Sequence, residues 1–200
     1  MKVLIGCEES QIVTQAFRQR GYEAYSCDIV PTRGDAQFHF QGCVKECLSL
    51  DSWDLVVLHP PCTAMSLSGN RWYGKGMPRH SERLDAVNWT LGLWEKALIH
   101  SRYVALENPL SVIFNHLDDV HYIQPWQFGH GETKKTGFAT NGLPPLIPTN
   151  VVSGRENRVH RMPPGPDRSR LRSQTYPGVA EAIAEQWGSF VAGIGLSDIA

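Results

Sequence analysis

Apolar positions in this chain fall into short unbroken runs separated by longer amphipathic stretches. Lys2–Gly6, KVLIG, is a short apolar run that stops at glycine, the pattern of a buried strand. From Ser10 to Gly21, Ile12, Val13, Ala16 and Phe17 recur at helical spacing, and Gly21 closes the helix. Glu23–Ile29 reads as a second strand and Leu55–Leu58, LVVL, as another buried one. Ser81–Arg102 predicts a helix with Leu84, Val87, Leu91, Trp94 and Leu98 inward. Tyr103–Leu106 follows as a strand running into Glu107-Asn108-Pro109. Pro177 opens a final helix over Gly178–Val191, with Val179, Ile183, Trp187 and Phe190 on one face.

Strand and helix alternate, which predicts an α/β fold: a Rossmann-like, doubly wound, mostly parallel sheet. Ligands of such sheets bind beyond the carboxyl ends of the strands, and the chemically unusual residues of this chain lie there. Asn70–His80, NRWYGKGMPRH, is glycine-rich and basic and predicts a mobile loop. GLPPLIPT, from Gly142 to Thr149, predicts extended chain, and Gly165–Arg172 a flexible loop. With no internal repeat and no composition break, residues 1–200 are expected to form one domain.

Composition narrows the function classes. No run reaches the about 18 to 20 apolar residues of a membrane span. MKVLIGCEES turns acidic too soon for a secretory signal, so a soluble, intracellular protein is expected. The five cysteines, Cys7, Cys27, Cys43, Cys47 and Cys62, are odd in number, which argues against a disulfide framework. Cys43 and Cys47 lack a histidine-rich partner segment, so no metal site is expected. Formal net charge is −1, which carries no bulk nucleic-acid signature. The basic residues cluster instead: Arg155–Arg172 holds six arginines against Glu156 and Asp167, either a solvated loop or a phosphate-contacting surface.

Four strand ends carry candidate chemistry. The first, Gly6-Cys7-Glu8-Glu9-Ser10-Gln11, leads into a helix whose free N–H groups can receive an anion. The second is Asp28, about 20 positions after the first turn, where such folds hold ribose hydroxyls. The third is His59-Pro60-Pro61-Cys62: the Pro-Pro corner fixes the backbone and presents a thiol at the sheet's rim. The fourth is Glu107-Asn108-Pro109, whose carboxyl group can act as acid or hydrogen-bond donor, with burial expected to raise its pKa. Each has a plain structural alternative: a capping carboxylate, a solvated turn or a packed cysteine.

Their order along the chain resembles the cytosine-5 DNA methyltransferases. Pro61-Cys62 is similar to that family's nucleophile loop and Glu107-Asn108 to its Glu-Asn dipeptide. Ser66, Leu67, Ser68 and Gly69 resemble the continuation of that loop, and Ser173–Pro177 with the following helix resembles the family's last motif. Ile5-Gly6-Cys7-Glu8-Glu9 stands where the family has a glycine-rich motif, and Cys43 where it has an aspartate. Gly131–Gly137 stands near the place of its Gln-x-Arg-x-Arg motif, and no segment is long enough for a usual target-recognition domain.

The resemblance implies a methyltransferase fold using S-adenosylmethionine, with Cys62, Glu107 and Asn108 catalytic. It implies cofactor contacts from Gly6, Cys7, Glu8, Ser10 and Gln11, and from Asp28, Ile29, Cys43 and Pro60. DNA, with the target cytosine flipped out, is the implied partner. The implied DNA contacts are Ser66, Ser68, Arg71, Lys75, Lys134 and Lys135, together with Arg155 and Arg158. Small relatives of this kind resemble phage or prophage proteins acting in the bacterial cytoplasm. Two further readings stay open: modification of a cytosine nucleotide or another 5-position reaction, and a non-catalytic protein that binds S-adenosylmethionine or DNA and blocks restriction.

Overall fold

The structure is a computed structural model and describes residues 1–193. In chain order it forms β1 (Lys2–Gly6), α1 (Ile12–Gln19), β2 (Glu23–Asp28), β3 (His39–Gln41), α2 (Val44–Leu48), β4 (Leu55–Leu58), α3 (Asn70–Tyr73) and α4 (His80–His100). Then come β5 (Tyr103–Pro109), β6 (Val120–Ile123), β7 (Thr136–Asn141), α5 (Arg158–Arg161) and α6 (Arg168–Ser173). Finally α7 (Pro177–Ala182) continues through a wide π turn (Ile183–Trp187) into α8 (Gly188–Val191).

The strands make one seven-stranded sheet in the order β3-β2-β1-β4-β5-β7-β6. The first five strands in that order are parallel, while β7 runs antiparallel to both β5 and β6. The expected α/β, doubly wound, mostly parallel sheet is therefore present. Both faces of the sheet are covered. Val3, Ile5, Val57 and Ala105 pack toward α1, α7 and the π turn, while Leu4, Val56, Leu58 and Leu106 pack toward α2 and α4. That is why these runs are unbroken rather than alternating. Gly6 is required by close packing: a Cβ there would meet Val44 Cγ2 at 2.6 Å and Leu58 Cδ2 at 2.8 Å.

Three strands, β3, β6 and β7, carry no run that the sequence pattern picks out. Each is short or mixes glycine, threonine, histidine and asparagine with its apolar residues. The inward face of α4 also differs from expectation. Arg83, Val87, Thr90, Leu93 and Ala97 are buried, whereas Leu84 and Leu98 are exposed. The helix is turned by about one residue because Arg83 points inward and is hydrogen-bonded there. Asn70–His80 is not an irregular loop: α3 occupies its first turn, Tyr73 is buried and His80 begins α4. Within Gly165–Arg172, residues from Arg168 onward belong to α6. Phe190 is 47% exposed, its ring edge-on to Tyr103.

Candidate active site

The sheet's connection order reverses between β1 and β4, which opens a crevice beyond their carboxyl ends. Into it run the loops after β1, β4 and β5. His59 N donates to Gly6 O at 2.9 Å, holding the start of the Pro-Pro corner beside the end of β1. The corner then turns sharply: Met65 N and Ser66 N both donate to Cys62 O, at 3.1 and 2.8 Å. Leu67 N donates to Leu110 O and Val112 N to Met65 O, so the Pro-Pro-Cys loop is tied to the chain leaving β5.

Two side chains fix this loop from opposite sides. Asn108, fully buried, donates from Nδ2 to Pro60 O at 3.1 Å. Its Oδ1 is buried without a partner among the described residues. Arg83 reaches up from α4 and forks onto three acceptors. Nε donates to Ala64 O at 2.7 Å, one terminal nitrogen to Asn70 Oδ1 at 2.8 Å and the other to Ser66 O at 3.1 Å.

Cys62 is half-buried, and burial pushes its thiol pKa up. The charge of Glu107 raises it further, while Lys134 and Arg172 pull it down. All three charges therefore lie near the sulfur, and in the free protein it is a protonated thiol at neutral pH. Glu107 stands on β5 opposite Phe138 of β7. Its Oε2 lies 3.4 Å from His59 Nδ1. Burial pushes this carboxyl group up, but the His59 imidazole beside it, aided by Lys134, outweighs that and holds it below the ordinary carboxylate range. The rise expected from burial alone is thus reversed by a partner that the sequence pattern does not announce.

Lys134 sits in this site rather than on an outer surface. Its Nζ donates to Gln174 O at 3.0 Å, and with Glu107, Thr136, Phe138, Tyr176 and Val179 it lines a narrow pocket. Tyr176 donates to Glu132 Oε2 at 2.7 Å, and Glu132 also binds Arg158. Arg158 is further paired with Glu156 at 3.2 Å.

The cofactor-side residues divide into two groups. Cys7, Asp28 and Cys43 come together: burial raises the Cys7 thiol, and Asp28 with the Cys27 and Cys43 thiols raises it further. Cys7 holds a left-handed backbone at φ 60, at the turn out of β1. Asp28 accepts from Val30 N at 3.1 Å, and Ile29 beside it is 75% exposed. An acid beside an exposed apolar side chain suits a ribose and the flat base attached to it, so this cradle fits an adenosyl group. Pro60 is buried at the loop corner and Ser10 half-buried at the start of the helix approach.

Glu8 and Gln11 do not join that cradle. The Glu8 carboxylate accepts from Val13 N, Thr14 N and Thr14 Oγ1, capping α1. Gln11, fully buried with φ 57, donates to Ser26 Oγ, Asp35 O and Phe38 O and accepts from Asp35 N. Both are consumed in holding the loops that frame the cradle.

The residues expected to contact DNA sit in differing local settings. Ser66 is buried, its hydroxyl 3.0 Å from that of Ser68. Ser68, Arg71 and Lys75 are exposed around α3, where Arg71 lies 5.1 Å from the ring of an exposed Trp72. Lys135 is exposed beside Tyr122. Arg155 lies over Trp126 at 3.8 Å and lines a separate open groove with Arg158 and Arg161. His59, Arg83, Arg172, Tyr176 and Glu132 are absent from the sequence-based set. Arg83 carried no sequence cue; His59 stood directly before the Pro-Pro corner, and Glu132, Arg172 and Tyr176 lay within the singled-out segments Gly131–Gly137, Arg155–Arg172 and Ser173–Pro177.

Among the described residues, no group of three or more histidine, cysteine, aspartate or glutamate side chains is placed to hold a metal. No described helix is long and apolar enough to cross a membrane. No family model and no curated protein matches the chain. Among solved structures, it is similar to a DNA modification methyltransferase described as putative and encoded within an E. coli prophage, at 11% identity and TM-score 0.47, over 76% of this chain and 52% of that one. It is also similar to the S. pombe Dnmt2 methyltransferase, at 14% identity and TM-score 0.45, over 81% of this chain and 55% of that one. For the Entamoeba histolytica methyltransferase EhMeth the values are 12% and 0.48, over 78% and 56%. The chain thus spans about half the length of these proteins. At these values the fold is read from the sheet itself and the chemistry from the side chains.

Proposed function

We propose that the chain transfers a methyl group from S-adenosylmethionine to carbon 5 of cytosine in DNA, through a covalent adduct on Cys62. The observation that carries this reading is the convergence of Cys62 with Glu107 and Lys134, whose charges both act on its thiol, together with the grouping of Cys7, Asp28 and Cys43 after β1 and β2.

Carbon 5 of cytosine is a poor nucleophile. Addition of a Cys62 thiolate at carbon 6 turns the ring into an enamine, with carbon 5 able to attack an electrophile. Bound S-adenosylmethionine supplies an electrophilic methyl group. Cys7, Asp28, Ile29 and Cys43 would hold its adenosyl end. Glu107 binds the ring N3 and the exocyclic amine and favours the adduct. Lys134 and Arg172 stabilise the thiolate, and Asn108 and Arg83 fix the loop that carries it. A base then removes the proton at carbon 5, and Cys62 leaves. A cytosine within a duplex must be flipped out to reach this pocket, which costs a few kcal/mol. The exposed Ser68, Arg71 and Lys75 around α3 contact the DNA backbone, so target choice is short or relaxed. A single catalytic domain acting on bacterial or phage DNA in the cytoplasm is the matching setting.

The test is direct. The protein is incubated with unmethylated DNA and S-adenosylmethionine labelled in its methyl group, and the DNA is digested to nucleosides. Label in 5-methylcytosine supports the reading. Label in a methylated adenine or on the cytosine amine overturns the chemistry, and label only in free nucleotides overturns the substrate.

A further inference from the structure

The mechanism leaves one buried titratable side chain without a task. His59 closes β4, the strand between the one carrying the cofactor loop and the one carrying Glu107. Its side chain is only 10% exposed. Nδ1 faces Glu107 Oε2 at 3.4 Å, and Nε2 is buried with no partner among the described residues. Glu8 is close enough that His59 opposes the rise that burial imposes on its carboxyl group, a rise that nonetheless prevails. The Glu8 side chain is committed to three donors of α1 and so holds its place. The other charged or titratable groups at the site are Lys134 before β7, Cys62 on the same loop, Arg172 of α6 and Tyr176 ahead of α7.

We propose that His59 is a positioning residue and proton reservoir for Glu107: the pair carries one proton, which Glu107 delivers to the cytosine ring and His59 replaces. This role rests on the cytosine chemistry proposed above. In the addition step the Cys62 thiol loses its proton to solvent water, the Sγ–C6 bond forms and the C5=C6 π pair moves to make C4=C5. The C4=N3 pair moves onto N3, which takes a proton from Glu107. The Glu107 carboxylate takes a proton from His59 Nδ1, leaving a neutral imidazole. When Cys62 leaves after methylation, N3 returns the proton along the same path. The arrangement lets Glu107 rest as a carboxylate, able to accept from the exocyclic amine, yet act as an acid when N3 gains electron density.

His59→Gln tests this, because glutamine keeps a donor toward Glu107 but cannot carry the proton. His59→Asn is the second variant should the first fold poorly. In protein labelled with 13C at glutamate carboxyl carbons, Glu107→Gln and Glu8→Gln assign the two signals. The Glu107 titration midpoint should lie higher in His59→Gln than in the wild type, since burial then acts against Lys134 alone. An unmoved midpoint overturns the pairing, whether or not the protein methylates DNA.

The kinetic arm has a sign of its own. Two sites sharing a last proton bind it at least as tightly as the carboxyl group does alone. One limb of the pH–rate profile should therefore move to lower pH in His59→Gln. The maximal rate should fall at least about a hundredfold, the low end of general acid–base effects. S-adenosylmethionine affinity should stay within about twofold. A pH–rate profile that superimposes on the wild type, or a loss confined to cofactor affinity, overturns the reservoir role. If the midpoint moves but the wild type makes no 5-methylcytosine, the functional reading fails and takes the reservoir role with it.

Discussion

Replacing Arg83 by methionine should loosen the Pro-Pro-Cys loop and cost the whole protein stability. Arg83 is 6% exposed, and no carboxylate pairs with it among the described residues. Its charge is balanced by three oxygens: Ala64 O, Ser66 O and Asn70 Oδ1. Methionine fills much of the same volume but donates nothing. Each buried acceptor left unmet costs about 1–3 kcal/mol, partly recovered where water reaches it. A net loss of about 3–5 kcal/mol is the working figure, comparable with breaking one side of a buried ion pair. For a chain of this length each kcal/mol lowers Tm by about 2–4 °C, so the variant should melt about 10 °C below the wild type. Amide hydrogen exchange gives the local readout. Met65 N and Ser66 N, which bond to Cys62 O, should exchange faster in the variant. Arg83→Lys keeps the charge but not the fork, and should fall between the two. An Arg83→Met protein that melts within about 2 °C of the wild type, with unchanged exchange at Met65 and Ser66, would refute the idea that this side chain builds the loop.

Other perturbations have opposed signs that a purely structural role would not give. Removing the Glu107 charge by Glu107→Gln should speed alkylation of Cys62 in the free protein, by up to about tenfold at a mildly alkaline pH, while abolishing methyl transfer; unchanged or slower alkylation would separate the two groups. Lys134→Gln should slow the same alkylation, because Lys134 lowers the thiol's pKa. Asp28→Ala should weaken S-adenosylmethionine binding by about 1–3 kcal/mol, read by calorimetry, with an unchanged Kd removing Asp28 from the cradle. DNA affinity should fall steeply with salt, and Lys75→Gln should reduce the log–log slope by about one phosphate contact. Arg158→Gln should change that slope less than Lys75→Gln, since Glu132 and Glu156 already hold Arg158.

The three central parallel strands were legible because strands buried on both faces need unbroken apolar runs, and Lys2–Gly6, Leu55–Leu58 and Tyr103–Leu106 have them; the short parallel β3 was not. The antiparallel half was not. In Thr136–Asn141 the backbone ladder to β5 sustains the strand, and close packing fixes Gly137, whose Cβ would lie 2.5 Å from the ring of Phe114. The face of α4 departs from its hydrophobic pattern because Arg83 is buried and hydrogen-bonded on the inner side. A buried arginine reveals itself only through the loop carbonyls it serves, and those lie 17 to 19 residues away. The same limit applies at the candidate site. Cys62 and Glu107 stood out as odd residues at strand ends, whereas His59 owes its meaning to a partner 48 positions further along the chain. Glu8 and Gln11 stand beside the cradle in sequence, yet their side chains turn to α1 and β2.

The Cys62 adduct can be caught by blocking its release. DNA in which the target cytosines carry fluorine at carbon 5 still permits thiolate addition and methyl transfer, but no base can remove the fluorine as a proton. The protein is incubated with such DNA and S-adenosylmethionine, digested with protease and nuclease, and analysed by mass spectrometry. The predicted result is a methylated fluorocytosine nucleotide joined to the peptide containing Cys62, dependent on the cofactor and absent from Cys62→Ser. Methylation of ordinary cytosine by the same preparation, with no adduct on the fluorinated DNA or with undiminished turnover in Cys62→Ser, would contradict it.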